Sequence, residues 1–160
     1  MFGVDDPRVV AAVRAYVKLM RATRSVVARL EPALAACALT LTQLGVLEAV
    51  LHKGALTHRD LGRKLLTSPG NLTDVVDKLE ARGLVARVRA AEDRRLVRVE
   101  LTEAGRALIE DVFPRHAVDI AHAMGALEPA ELERLGALLR RVGMGDTQDA
   151  PPLAAEAVRT

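Results

Sequence analysis

Between Thr57 and Thr102 the chain changes its periodicity twice, and that succession limits the fold more than any other feature. Thr57–Leu65 reads as a short helix, Leu66–Thr67 as a tight turn, and Ser68–Arg82 as a second helix stopped by Gly83. Two strand-like segments follow, Leu84–Arg89 and Leu96–Leu101, joined by Ala90–Arg95. In the second helix Leu72, Val75, Val76 and Leu79 fall at i, i+3, i+4 and i+7, which makes one buried stripe. In the last segment Val97, Val99 and Leu101 alternate with Arg98 and Glu100, the period of a half-buried strand.

Local chemistry supports each boundary. Thr57 with Asp60 three residues on resembles a capping box, with Asp in place of the usual Glu or Gln. Ser68–Pro69 is an N-cap followed by proline at the first helical position, where the missing N–H has no partner to lose. Opposite the apolar stripe, Gly70, Asp74, Asp77 and Ala81 point outward, flanked by Asn71 and Lys78 on one side and Thr73 on the other. Arg94 and Arg95 fall where the hairpin reverses and are exposed at its tip. Helix, turn, helix, hairpin is the outline of a winged helix-turn-helix, a module that lays one helix in the DNA major groove.

Long helices flank this module. Asp6–Pro7 opens a first helix with Val9, Val13, Tyr16, Val17, Met20, Val27, Leu30 and Leu34 on a helical period, interrupted at Thr23 and Arg24. Pro32 is expected to kink it rather than end it, because the pattern resumes at Leu34. Thr40 and Gln43 form a capping box for a second helix closed by Gly54, with Leu41, Leu44, Leu47, Leu51 and Leu56 toward the core. After the hairpin, Thr102 caps a helix carrying Ala104, Leu108, Ile109, Val112, Ile120 and Met124, which Pro114 is expected to bend or split. Glu128–Pro129 starts a final helix with Leu132, Leu135, Leu138, Leu139 and Val142, stopped by Gly143 and Gly145. Residues 144–160, with Pro151–Pro152, have no sustained period and read as a flexible tail. The terminal helices carry more apolar surface than one copy covers, so dimerisation through residues 7–36 and 103–143 is the economical reading. The expected fold class is mainly α with a small β-hairpin wing: a winged helix-turn-helix over residues 40–102 between N- and C-terminal dimerisation helices.

The run Ser68–Arg87 resembles the recognition helix and first wing strand of the MarR family of transcriptional regulators. Asp93-Arg94-Arg95, followed by Val99-Glu100-Leu101-Thr102-Glu103-Ala104-Gly105, is similar to that family's wing and the start of its next helix; Leu39-Thr40-Leu41-Thr42-Gln43 also fits. By element order the resemblance spans roughly Val9 to Gly143, and the wing motif is its most specific part. Asp74 departs from the pattern, since that position often carries a basic or neutral residue. In the family the first, fifth and sixth helices build a dimer, which matches a two-fold operator whose half-sites lie about one helical turn apart.

Charge placement agrees with a nucleic-acid partner. The chain carries only +2, yet from Thr57 to Arg98 ten lysines and arginines face six aspartates and glutamates. That span holds +4 and the remainder −2, so cationic charge concentrates where phosphate binding needs it. A solvated charged face gives the same count, and it is the coincidence with the motif that favours DNA. Aromatics are only 2% of residues, which argues against RNA modules that stack bases on aromatic platforms. One cysteine excludes an intrachain disulfide framework and fits a reducing cytosol. With no bilayer-length apolar run and no signal-peptide pattern, the expected location is cytoplasmic, away from membranes.

Enzymatic motifs are missing: there is no phosphate-cradling glycine loop, nucleophile elbow or paired-carboxylate motif. Cys37 has no basic sequence neighbour to activate it and reads as a small buried hydrophobe. Some relatives sense oxidants with a cysteine, but earlier in the first helix, where this chain has Ala15-Tyr16-Val17; a cysteine-based oxidation sensor is therefore kept only as an alternative reading. Among His52, His58, His116 and His122, the pair on the fifth helix is six residues apart, too far for two ligands on one helix face, so no metal is expected. The resemblance implies a small phenolic or aromatic acid effector bound between the dimerisation helices and the DNA module. By element position Tyr16, Met20, His52, Phe113 and His116 are its candidates, though each is also an ordinary core or surface residue. A winged-helix module that binds protein is the other alternative, suggested by Asp74 and Asp77, although an Asp can also accept from cytosine N4.

The expected function is a homodimeric DNA-binding repressor acting on double-stranded DNA. Ser68, Gly70, Asn71 and Thr73 would meet base edges, with Asp74 as a selectivity element. Lys78, Thr57 and His58 would touch phosphate. Arg95, at the wing tip beside Arg94, would enter the minor groove, and Asp93 would hold it in place as the family wing motif implies.

Overall fold

A computed structural model of the chain describes residues 5–89 and 95–144. Its elements run α1 (Pro7–Ala36), α2 (Leu41–Lys53), β1 (Leu56–Thr57), α3 (His58–Leu65), α4 (Pro69–Ala81), β2 (Val85–Arg89), β3 (Val97–Leu101), α5 (Glu103–Ala123) and α6 (Pro129–Met144). It is therefore mainly helical with a small antiparallel sheet, ordered β1-β3-β2. The described residues divide after Ala123 into two compact units, and α6 belongs to the second.

The helix starts follow from their caps. The Asp6 carboxylate accepts from the Arg8 N–H at 2.7 Å. At α2 the box is reciprocal: the Thr40 N–H donates to Gln43 Oε1 (2.9 Å) and the Gln43 N–H to Thr40 Oγ1 (3.2 Å). Thr102 Oγ1 accepts from the Gly105 N–H at 3.0 Å and donates to the Gly83 carbonyl at 2.6 Å, so one hydroxyl starts α5 and anchors the chain leaving α4. Each such cap contributes about 1 kcal/mol. Gly83 ends α4 with φ +68°, as expected of a glycine stop.

Around the helix-turn-helix lies one core. Leu72, Val75, Val76 and Leu79 of α4 all bury their side chains, together with Leu44, Val46, Leu47 and Val50 of α2, Leu61 of α3, Val85 and Val99 of the sheet, and Ile109 and Val112 of α5. Full burial of each contributes about 1.5–3 kcal/mol. Along α1 only Leu30 and Leu34, toward its C-terminal end, are buried, and Leu34 joins this core. Val13, Tyr16, Val17 and Met20 stay exposed, and Tyr16 retains 62% of its surface.

Four expectations need correction. Leu41 stays exposed, because it is the first residue of α2 and points away before the helix meets the core. Pro114 does not split α5, which is continuous through it, just as α1 runs on through Pro32. A proline removes one N–H donor from a helix, and a long helix tolerates that loss when its flanks are packed. Gly143 does not stop α6, which continues to Met144; Gly145 and the rest of the expected tail lie outside the described residues. Finally, the sheet has a third strand beyond the expected hairpin: in β1 Leu56 pairs with Val99 and Thr57 with Arg98.

Candidate nucleic-acid interface

The outward face of α4, Gly70, Asp74, Asp77 and Ala81 with Asn71, Thr73 and Lys78 beside it, is exposed, and so is Ser68 at its N-cap. Local bonds pre-set several of them. Ser68 Oγ accepts from the Asn71 N–H at 3.4 Å, a long cap. Thr73 Oγ1 donates to the Pro69 carbonyl at 3.0 Å, back along its own helix. The Asn71 amide donates to Thr67 Oγ1 at 2.7 Å, which leaves its carbonyl oxygen and second amide hydrogen for a partner. At Gly70 an added Cβ would meet nothing within 4 Å, so the glycine keeps a flat, open approach at the helix start.

Thr57 and His58 sit at the β1–α3 junction, both half-buried. The Thr57 hydroxyl accepts from the Asp60 N–H (3.2 Å) and donates to Asp60 Oδ2 (2.7 Å), so it is engaged in capping. That hydroxyl, with the Arg63 cation beside it, holds the Asp60 carboxyl below the usual carboxylate range. Burial lowers the His58 pKa below the ordinary imidazole value and the Arg87 cation adds to the effect, against the opposing pull of Asp77 and Glu80.

Arg87 of β2 binds both carboxylates of the neighbouring helix. Its guanidinium pairs with Asp77 Oδ1 at 2.5 Å and with Glu80 Oε2, while its backbone N–H donates to Glu80 Oε1 at 3.1 Å. The wing strand is thereby braced against α4. Asp77, an outward-facing acid of α4, has one carboxylate oxygen, Oδ1, engaged in this brace. In the sequence Arg87 is only one cation among ten, because its partners lie seven and ten residues away.

Arg95 is exposed at the turn entering β3. Asp93 and Arg94 lie outside the described residues. Two further cations, Arg59 and Arg63, border a cleft between α3 and α4 that sequence reasoning missed. Their i, i+4 spacing on α3 was the available signal.

Within a single copy, the cavity beside His116 gathers none of the other four effector candidates. The His52 and Phe113 rings meet edge-on with centroids 5.5 Å apart, joining α2 to α5. His116 is buried, its Nδ1 has no hydrogen-bond partner, and it borders a cavity of about 530 Å³ with Ala33, Leu34, Cys37 and Val112. Tyr16 and Met20 do not line it: at 1.5 Å per residue, Met20 sits roughly 20 Å along α1 from Ala33. Cys37, the C-cap of α1, packs half-buried at the core edge. Among the described residues no three His, Cys, Asp or Glu side chains gather as a metal-ligand set, and no single helix is long and apolar enough to cross a membrane.

Comparison with known proteins agrees with this geometry. The MarR family profile matches residues 39–97. The HTH-type transcriptional regulator MhqR of Bacillus subtilis is 34% identical over 137 residues, covering 86% of this chain and 94% of the relative. Among solved structures, BpsR of Bordetella bronchiseptica, whose DNA binding is regulated by 6-hydroxynicotinic acid, superposes with TM-score 0.74 at 34% identity, covering 80% of this chain and 91% of BpsR. Apo MarR from E. coli superposes with TM-score 0.66 at 26% identity, covering 78% and 93% of the two chains. These relatives are transcriptional regulators and not enzymes. With the winged module, the exposed face of α4 and similarity to such a regulator over 86% of the chain in agreement, the chain belongs to the MarR family of DNA-binding transcriptional regulators.

Proposed function

We propose that the protein is a cytoplasmic, homodimeric repressor that binds a pseudo-palindromic operator and releases it on binding a small aromatic acid. The observation that carries this reading is the braced pair of α4 and β2. An exposed, polar helix face stands beside a hairpin that Arg87 ties to it through Asp77 and Glu80. With α4 in the major groove, Ser68, Gly70, Asn71, Thr73 and Asp74 meet base edges, and Thr57, His58 and Lys78 lie near the flanking phosphates. Arg95 enters the minor groove, with Arg94 beside it and Asp93 holding it.

The uncovered apolar stripe Val13–Tyr16–Val17–Met20 supports dimerisation through residues 7–36 and 103–143, with 40–102 as the DNA-binding domain and 144–160 as a tail. The regulation of BpsR by 6-hydroxynicotinic acid supports an aromatic acid as the effector class. Sedimentation at micromolar concentration should give a dimer. A random-sequence duplex pool passed over the protein should return an inverted repeat, and 6-hydroxynicotinic acid or a related acid should weaken that binding. A clean monomer that enriches no inverted repeat would sink the reading.

A further inference from the structure

We propose that the cleft between α3 and α4 is a seat for one phosphodiester of the DNA backbone, built on Arg59, Arg63 and Thr67. It rests on the DNA-binding reading above and adds three residues to it. The cleft, about 530 Å³, is bordered by His58, Arg59, Gly62 and Arg63 of α3, Thr67 of the turn and Thr73 of α4. No acidic residue lines it. Arg59 and Arg63 are one helical turn apart, and like charges at that spacing repel unless an anion lies between them. Asp60 relieves only one of them, pairing with Arg63 at 2.5 Å. Arg59 has no hydrogen-bond or ion-pair partner among the described residues.

The third donor is prepared by the recognition helix itself. Thr67 Oγ1 accepts the Asn71 amide hydrogen at 2.7 Å, so its own hydroxyl hydrogen is left to donate. Two arginines and one hydroxyl-bearing residue thus border one cleft, whose lining is completed by Gly62, Pro69 and Leu72. An anionic, tetrahedral group with several acceptor oxygens satisfies this donor set, and guanidinium forks match phosphate geometry. In a helix-turn-helix the helix preceding the recognition helix crosses the backbone, so such a group is within reach when α4 occupies the groove. Asn71 thereby links the base-reading face to the backbone seat through Thr67.

The test uses the full chain and a duplex that wild type selects from a random-sequence pool. Arg59→Gln/Arg63→Gln and, separately, Thr67→Val are titrated against salt. Both are also titrated on duplexes in which single phosphates are replaced, one at a time, by neutral methylphosphonate. Wild type should lose affinity several-fold at one phosphate per half-site. The double variant should be indifferent to that substitution, and its log–log salt slope should fall by about 0.9 for each phosphate it no longer neutralises. Thr67→Val should lose part of the sensitivity at the same phosphate. An unchanged slope and methylphosphonate profile in the double variant would overturn the seat while leaving DNA binding intact. A lower slope with no single phosphate affected would also overturn it, in favour of a diffuse cationic field. If wild type shows no salt-dependent duplex binding, the DNA reading fails and this proposal with it.

Discussion

Gly105 at the start of α5 lies so close to Leu84 that a Cβ built on it would sit 1.8 Å from the Leu84 carbonyl oxygen. The same oxygen accepts the Thr102 N–H at 3.1 Å. The end of the recognition helix and the start of the long helix α5 are therefore in backbone contact, through Gly83–Leu84 on one side and Thr102–Gly105 on the other. The obstacle is backbone, which cannot rotate aside as a side chain can. Gly105→Ala should therefore destabilise the fold by about 1–3 kcal/mol or more, despite alanine's better helix propensity. Urea unfolding checks this: a midpoint unchanged or raised would mean that the two segments are free to move apart.

Leu66, in the turn between α3 and α4, presents the opposite case. It adopts φ +50° and ψ +39°, a left-handed conformation disfavoured for leucine by roughly 1–2 kcal/mol. Its side chain is 93% exposed, so little packing offsets the strain. Leu66→Gly relieves it but adds backbone entropy to the unfolded chain, about 0.4–1 kcal/mol in the other direction. The expected net gain is about 0.5 kcal/mol, read as a higher urea midpoint at unchanged m-value. A lower midpoint would mean that Leu66 makes stabilising interactions in solution.

The lowered pKa of His58 gives pH signatures of known sign. Because the folded-state value lies below the unfolded 6.5, the unfolded chain binds the proton first as pH falls. His58 should therefore subtract nothing from stability above pH 6.5 and an increasing amount below it, until the folded-state ring also protonates. DNA phosphate nearby should raise the ring's pKa, so binding takes up a proton and wild-type affinity should rise below pH 6.5 more steeply than that of His58→Gln. Equal pH profiles for the two proteins would place His58 away from the duplex.

Arg87 is expected to act as a positioning residue. Arg87→Met should lose about 1 kcal/mol or less of stability, since both carboxylate partners are partly solvated. It should nonetheless weaken operator binding several-fold by releasing the wing strand from α4. Arg87→Lys should rescue little, because one ammonium cannot reproduce a fork held between two carboxylates. As an internal check, the His58 pKa measured by NMR should rise in Arg87→Met, where the repelling cation is gone. A variant with lower affinity but an unshifted His58 would leave this brace without support.

Asn71 and Arg95 should separate base reading from backbone attraction. Asn71→Ala should lose about 1–3 kcal/mol on the selected operator and little on scrambled duplex. Arg95→Ala should weaken both and lower the salt slope by about 0.9. Equal losses for Asn71→Ala on both duplexes, with Arg95→Ala unaffected, would mean that the module docks in another orientation.

What the sequence determined by itself is what short-range physics decides. The Thr40–Gln43 box, the Ser68 and Thr102 caps, the Gly83 stop and the buried stripe from Leu72 to Leu79 all depend on bonds or periodicities spanning a few residues. Each was legible because its partners are adjacent in the chain, and together they outlined the helix-turn-helix and its exposed face. The three-dimensional structure decided the rest, where the interacting groups are distant in sequence. The strand pairing of Leu56 with Val99 leaves no periodic trace, because two residues cannot display an alternation. The close approach of Gly105 to Leu84, the capture of Asp77 and Glu80 by Arg87, and the cleft faced by Arg59 and Arg63 depend on how helices and sheet pack. The same packing separated Tyr16 and Met20 from the cavity beside His116, although all three lie on helices expected to share a pocket. A sequence gives each residue's direction about its own helix or strand, whereas cavities and charge networks arise from the relative placement of several, which side-chain volumes and backbone contacts across the core decide.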